Sequence, residues 1–144
     1  MPLLSDIMYK PLFNESQPVP LFMTNIQAGF PNPADNDVEQ ELDLNEYLVK
    51  HPAATFFVRV EGDSMINAGI FSGDLLIVDR SLTAIHGKII VAVVDNEFTV
   101  KRLLIQENGI VLAPENPAYS PIKIKADAQF QVWGVVTYVI HKPQ

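Results

Sequence analysis

From Thr55 onward the apolar residues come in short runs separated by turn formers, and the pattern reads as strand after strand. Thr55-Phe56-Phe57-Val58-Arg59-Val60 is the first run. It breaks at Glu61-Gly62, and one helical turn, Met65-Ile66-Asn67-Ala68, is closed by Gly69. Leu75-Leu76-Ile77-Val78 follows a Ser72-Gly73-Asp74 turn. Lys88-Ile89-Ile90-Val91-Ala92-Val93-Val94 is apolar on both faces, the mark of a central strand. Asp95-Asn96 supplies a hairpin turn into Glu97-Phe98-Thr99-Val100-Lys101-Arg102-Leu103-Leu104, and Asn108-Gly109 a second one into Ile110-Val111-Leu112-Ala113. After a proline-rich loop from Pro114 to Pro121, a run from Val132 to Ile140 closes the series, with Gly134 read as a bulge. The expected fold class is mainly β: a compact multi-stranded body.

Upstream the pattern changes. Residues 1–36 hold six of the eleven prolines, Pro2, Pro11, Pro18, Pro20, Pro31 and Pro33. Each removes an N–H donor and fixes φ, which excludes a long helix or a central strand. Leu12, Phe13, Leu21, Phe22, Met23, Ile26 and Phe30 make the stretch too apolar for a solvated linker. The expectation is an extended arm that packs these side chains on its own body or on a partner's. One short helix follows. Asp43 caps it, Glu46 completes a capping box, and Leu44, Tyr47 and Leu48 fall at i, i+3 and i+4 before Pro52 stops it.

Composition narrows the class. A chain of 144 residues makes one domain, or one domain with an arm. Apolar residues at 48% and charged residues at 19% describe a globular protein. The net charge of −7 argues against unspecific nucleic-acid binding, which needs clustered Lys and Arg. Between Lys10 and Lys50 there is no Lys or Arg, while Asp35, Asp37, Glu39, Glu41, Asp43 and Glu46 crowd together. That stretch is either a solvated acidic face or a surface that steers toward a basic partner. The absence of cysteine excludes disulfides, a thiolate zinc site and a Cys nucleophile, and fits a reducing compartment. No apolar run approaches the ~20 residues that span a bilayer, and no signal peptide opens the chain, so the expected location is cytoplasmic, without a membrane.

The candidate chemistry centres on Ser64. His51, His86 and His141 are scattered and form no metal-ligand motif, and no phosphate-binding loop exists among the seven glycines. No metal and no cofactor is expected. Ser64 stands at a strand-to-turn junction, a place that suits a nucleophile and equally suits a helix N-cap. Ile66 rules out a Gly-x-Ser-x-Gly elbow, and Asn67 rules out Ser-x-x-Lys. A base distant in sequence remains, and Lys101, inside an apolar strand, is the candidate. Such a lysine either snorkels to solvent or is buried. To accept a proton at neutrality, a lysine must have its ammonium destabilised by roughly 4–5 kcal/mol relative to its ordinary state. Burial within apolar strands supplies effects of that size. Backbone N–H groups of Asp63 and Ser64 are candidate oxyanion donors.

Three separated motifs, Gly62-Asp63-Ser64-Met65, Gly73-Asp74-Leu75-Leu76-Ile77-Val78-Asp79 and Glu97-Phe98-Thr99-Val100-Lys101, together resemble the LexA/UmuD family of self-cleaving Ser–Lys peptidases. Pro114, Tyr119-Ser120-Pro121-Ile122 and Gly134-Val135-Val136 extend the resemblance, which runs from about Phe22 to Val139. The resemblance implies a LexA-like β body in which Ser64 is the nucleophile and Lys101 the general base. It implies a cut in the chain's own arm at Ala28-Gly29, within Asn25-Ile26-Gln27-Ala28-Gly29-Phe30-Pro31. UmuD commonly has Cys before that glycine, and Ala is the LexA-like choice. The domain reading is then a cleavable arm over 1–28, an acidic linker with the helix over 29–54, and the peptidase domain over 55–144. The 28 residues ahead of the cut leave no room for a helix-turn-helix domain, so no direct sequence-specific DNA binding is expected. The resemblance further implies a homodimer, stimulation by the RecA–single-stranded DNA filament, and a processed form that joins a UmuC-type Y-family DNA polymerase in SOS translesion synthesis. The alternative is a non-catalytic β-sheet adaptor, with Ser64 a helix cap and the arm a docking strand for a polymerase or RecA.

Overall fold

In a computed structural model, which describes residues 8–12, 16–22, 26, 28–29 and 38–144, the strand pattern read from Thr55 onward becomes a single antiparallel sheet. Its strands are β1 (Met8–Tyr9), β4 (Thr55–Arg59), β5 (Leu75–Asp79), β6 (Ile89–Val94), β7 (Glu97–Gln106), β8 (Gly109–Ala113), β9 (Ile122–Lys123) and β10 (Phe130–Ile140). They lie in the order β1-β4-β5-β10-β6-β7-β8-β9. The fold is mainly β, with one short α-helix among the described residues. The chain divides into two compact units, residues 12–50 and the remainder.

The larger unit contains the sheet. β6 pairs with β10 on one side and β7 on the other, and it feeds two apolar clusters because successive side chains leave a strand on opposite faces. Val91 joins Val58, Val60, Met65, Ile70, Leu76 and Val78, while Ile90 and Ala92 join Leu103, Leu112 and Val135. This double burial is the cause of the run's apolar character on both faces. Asp95 and Asn96 both have positive φ, 47° and 68°, the geometry of the tight turn that matches strand twist. Two-residue strands, β1 and β9, close the sheet at its edges, and such short edges offer little template for pairing with other chains.

Gly134 is the expected bulge: the register of β10 against β6 shifts between Val132 and Gly134. A second shift, between Val136 and Tyr138 against β5, had no glycine to announce it. Gly134 is also a point of close approach. A Cβ there would stand 2.6 Å from Val78 Cγ1 and 3.1 Å from the Asp79 carbonyl oxygen.

The smaller unit holds a feature that the sequence pattern did not announce, a two-stranded antiparallel sheet of β2 (Val19–Phe22) and β3 (Val38–Leu42). Pro20 lies within β2 opposite Glu41. In a two-stranded ribbon every strand is an edge, so the missing N–H can face away from the partner. The helix α1 (Leu44–Leu48) is capped by Asp43, whose Oδ1 accepts the Asn45 N–H at 3.0 Å. Asp43 Oδ2 also accepts from Ser16 Oγ at 2.9 Å. The expectations that fall on Pro2, Phe13, Met23, Phe30, Pro31, Pro33, Asp35 and Asp37 concern residues outside the described set.

Because the added methyl meets a buried side chain and backbone, Gly134→Ala is expected to cost about 1–3 kcal/mol of unfolding free energy, read by urea denaturation. A loss within about 0.5 kcal/mol, the size of an ordinary surface change, would refute the close-packing account.

Candidate active site

Where β4 ends, the chain is fastened before it leaves the sheet: the Val60 N–H donates to Asp74 O at 2.9 Å, and the Gly73 N–H donates to Val60 O at 2.8 Å. Gly62 then turns the backbone with φ 89°, a conformation that costs a side-chain-bearing residue strain. Three residues on, Met65 is buried at 3% exposure within the first apolar cluster. A single 3-10 turn, Ile66–Ala68, follows and closes at Gly69 with φ 79°. Ser64 is thus held between a glycine pivot and a buried anchor.

The residue that caps this turn is Met65, which makes no side-chain cap bond. The Ser64 hydroxyl meets Lys101 instead, with Nζ 3.1 Å from Oγ. The helix-cap reading of Ser64 therefore fails on geometry.

Lys101 lies near the middle of β7 and is 9% exposed, so it does not snorkel. Its Nζ also stands 2.7 Å from Thr99 Oγ1 and 3.1 Å from Val100 O. None of the ion pairs among the described residues involves it. Burial therefore acts unopposed and holds the amine below the ordinary lysine value of 10.5. Three oxygens, those of Thr99, Val100 and Ser64, thus surround the amine within hydrogen-bond distance. Ser64 and Lys101 both line a cleft of about 880 Å³, walled by Val58, Val60, Met65, Val91, Phe98 and Val100.

The proline-rich loop folds back on the Ser64 turn. Glu115 N–H donates to Ser64 O at 2.8 Å, and Asn67 N–H donates to Glu115 O at 2.9 Å. Asn116 Nδ2 donates to Asp63 O at 2.9 Å, and the Tyr119 hydroxyl donates to Asp63 Oδ1. That last bond, with the nearby carboxylate charge, pushes the Tyr119 phenol up from its ordinary value. The carbonyls of Asp63 and Ser64 are thus engaged by the loop, whereas their N–H groups form no hydrogen bond among the described residues. Glu115 and Asn116 escaped sequence reasoning, where only their loop was visible, and Tyr119 stood there only as part of the family resemblance, without a role.

The three histidines serve other contacts. His51 Nδ1 is 2.5 Å from Asp79 Oδ2, His141 Nδ1 is 2.6 Å from Asp74 Oδ1, and His86 Nδ1 accepts the Ile105 N–H at 2.9 Å. Among the described residues no group of three or more His, Asp or Glu side chains is placed to hold a metal ion. Ala28 and Gly29 lie exposed in a bend of the smaller unit. No helix among the described residues is long and apolar enough to cross a membrane.

Residues 20–137 match the family described as Peptidase S24-like. The chain belongs to this peptidase family. Among curated relatives it is similar to protein MucA of Salmonella typhimurium, at 49% identity over 121 residues covering 83% of this chain and 82% of MucA. It is similar to protein SamA of Salmonella typhimurium strain LT2, at 48% identity over 132 residues, 89% of this chain and 91% of SamA. Protein ImpA of Shigella flexneri is 45% identical over 138 residues, 92% of this chain and 90% of ImpA. The matched region of this Peptidase S24-like chain contains both Ser64 and Lys101.

The depressed lysine has a consequence for stability whose sign follows from proton linkage. Between the lowered folded value and 10.5 the unfolded chain binds the proton more tightly, so Lys101 costs stability at lower pH, and the cost fades as pH rises through that window. Thermal melts across pH should show Lys101→Met gaining stability relative to the parent as pH falls. A difference that stays constant as pH rises to and through 10.5 would mean the amine is not desolvated.

Proposed function

We propose that this chain is a self-cleaving serine peptidase in which Ser64 is the nucleophile and Lys101 the general base. The observation that carries the reading is the buried Lys101 amine, in no ion pair among the described residues, 3.1 Å from the Ser64 hydroxyl. Membership of a peptidase family supports it independently. In the proposed reaction Lys101 Nζ takes the hydroxyl proton as Ser64 Oγ attacks the Ala28 carbonyl. The N–H groups of Asp63 and Ser64, which have no other partner among the described residues, receive the oxyanion. Lys101 then returns the proton to the Gly29 amine as the C–N bond breaks; in the second half it takes a proton from the water that attacks the acyl carbonyl and gives it to Ser64 Oγ as that ester bond breaks.

One cut at Ala28-Gly29 leaves a product of 144 − 28 = 116 residues. Following the family resemblance, the proposal extends to that product as the regulatory subunit of a UmuC-type Y-family DNA polymerase in SOS translesion synthesis. In this reading the protein is a cytoplasmic homodimer, and the RecA–single-stranded DNA filament stimulates its cleavage.

Intact-mass measurement of purified protein held at mildly alkaline pH tests the reaction. Release of residues 1–28 is expected, with a rate that climbs with pH and levels off below 10.5, since burial lowers the Lys101 value. Ser64→Ala and Lys101→Ala should each abolish the cut without unfolding the chain. An intact chain under these conditions and with the RecA filament added, or the same cut in either variant, would overturn the proposal.

A further inference from the structure

The residue after the proposed base along β7, Arg102, reaches in two directions. Its Nη1 donates to Gly87 O at 2.6 Å, in the turn before β6, and its Nε donates to Glu115 Oε1. Both side chains of this ion pair are about one-third exposed, at 32% and 31%. Pairs so exposed contribute little to stability, typically ~0–1 kcal/mol. The geometric effect of the pair is larger than its energetic one. Glu115 is the residue whose backbone grips the Ser64 turn from both sides, giving its N–H to Ser64 O and its C=O to the Asn67 N–H. The bonds from Asn116 and Tyr119 fall on Asp63, one residue upstream, so they do not duplicate this grip.

We infer that Arg102 and Glu115 are positioning residues that hold the Ser64 hydroxyl in register with Lys101. The inference rests on the Ser–Lys reading proposed above. One strand then carries both the base and, one residue on, the anchor of the loop that sets the nucleophile. With the two side chains fastened to neighbouring residues of β7, the Oγ–Nζ separation is fixed through a short path, Arg102 to Glu115 to Ser64. A misplacement of about 1 Å between reacting groups can cost ~100-fold in rate, which is why so weak a pair can matter.

The test compares the full-length parent with Glu115→Ala, Glu115→Gln and Arg102→Ala by two readouts. The first is the pH profile of self-cleavage. Glu115→Ala and Arg102→Ala are expected to lower the plateau rate about tenfold or more while leaving the midpoint in place, because the burial of Lys101 is untouched. Glu115→Gln retains a carbonyl oxygen for the Arg102 Nε and should keep most of the rate. The second readout is hydrogen exchange, which does not depend on activity. The Asn67 amide should exchange faster in both alanine variants, while the β6 amides keep their protection. An unchanged plateau would overturn the inference. So would a midpoint that moves toward 10.5 with the loss of rate, the sign of a loosened core that wets the lysine. If the parent itself does not cut, the proposed function fails separately, and Asn67 exchange decides the brace alone: faster exchange supports it and unchanged exchange overturns it.

Discussion

An amine withdrawn from water is the constraint around which this structure is arranged. Lys101 and Asp79 are both buried, at 9% and 4% exposure, yet they resolve their burial in opposite ways. For Asp79, desolvation raises the carboxyl, but hydrogen bonds from Ser81 and the partnership with His51 outweigh it, and the acid stays below its ordinary value and charged. Those donors serve the carboxylate far better than the neutral acid. The neighbours of Lys101 are a hydroxyl, a carbonyl and a second hydroxyl, with no carboxylate. None of them carries a negative charge to offset the lost hydration, so desolvation decides and the amine falls below its ordinary value. Among the described residues no buried side-chain nitrogen or oxygen lacks a hydrogen-bond partner. The lysine is therefore not a packing fault but a satisfied group whose charge alone is disfavoured.

The sequence carried the fold in those elements where periodicity and turn chemistry agree. The run around Ile90 reads as central because both of its faces are buried, and Asp95-Asn96 reads as a hairpin because both residues tolerate positive φ. It was silent where pairing is set by geometry rather than pattern. Pro20 and the acidic Glu39 and Glu41 obscure the β2–β3 ribbon, since proline argues against strands in general and only the edge position removes the objection. The second bulge of β10 lies among Val136, Thr137 and Tyr138, residues with no turn preference to mark it.

The candidate site divides along the same line. Composition and motif spacing eliminated other chemistries and left Ser64 with a distant base, for which the apolar strand around Lys101 made it the candidate and the family resemblance gave it the role. Whether Ser64 was a cap or faced a base was not legible locally, because serine is favoured in both roles and the deciding contact comes from a residue 101 − 64 = 37 positions away. The loop that holds the turn was less legible still. Glu115 acts on Ser64 and Asn67 through its backbone, and backbone bonds leave no side-chain signature in a sequence.

The two halves of the proposed dyad depend on different parts of the fold. Lys101 is paired across the ladder with Ile90, which is 0% exposed, and Leu103, two residues along, is 3% exposed. Strands buried to that degree open only with the largest unfolding events, so the position of Lys101 is set by the sheet. Ser64 stands outside the strands, on a turn fastened by a glycine pivot, one buried methionine and hydrogen bonds from a loop. Turns of this kind open at far lower cost than core strands. The strand that carries the base is thus held by the core, while the placement of the nucleophile is fixed locally. It follows that substitutions near the turn, and of the part-exposed Arg102 that braces it, act on rate before they act on the acidity of Lys101, whereas substitutions of buried strand residues such as Ile90 or Leu103 alter both together.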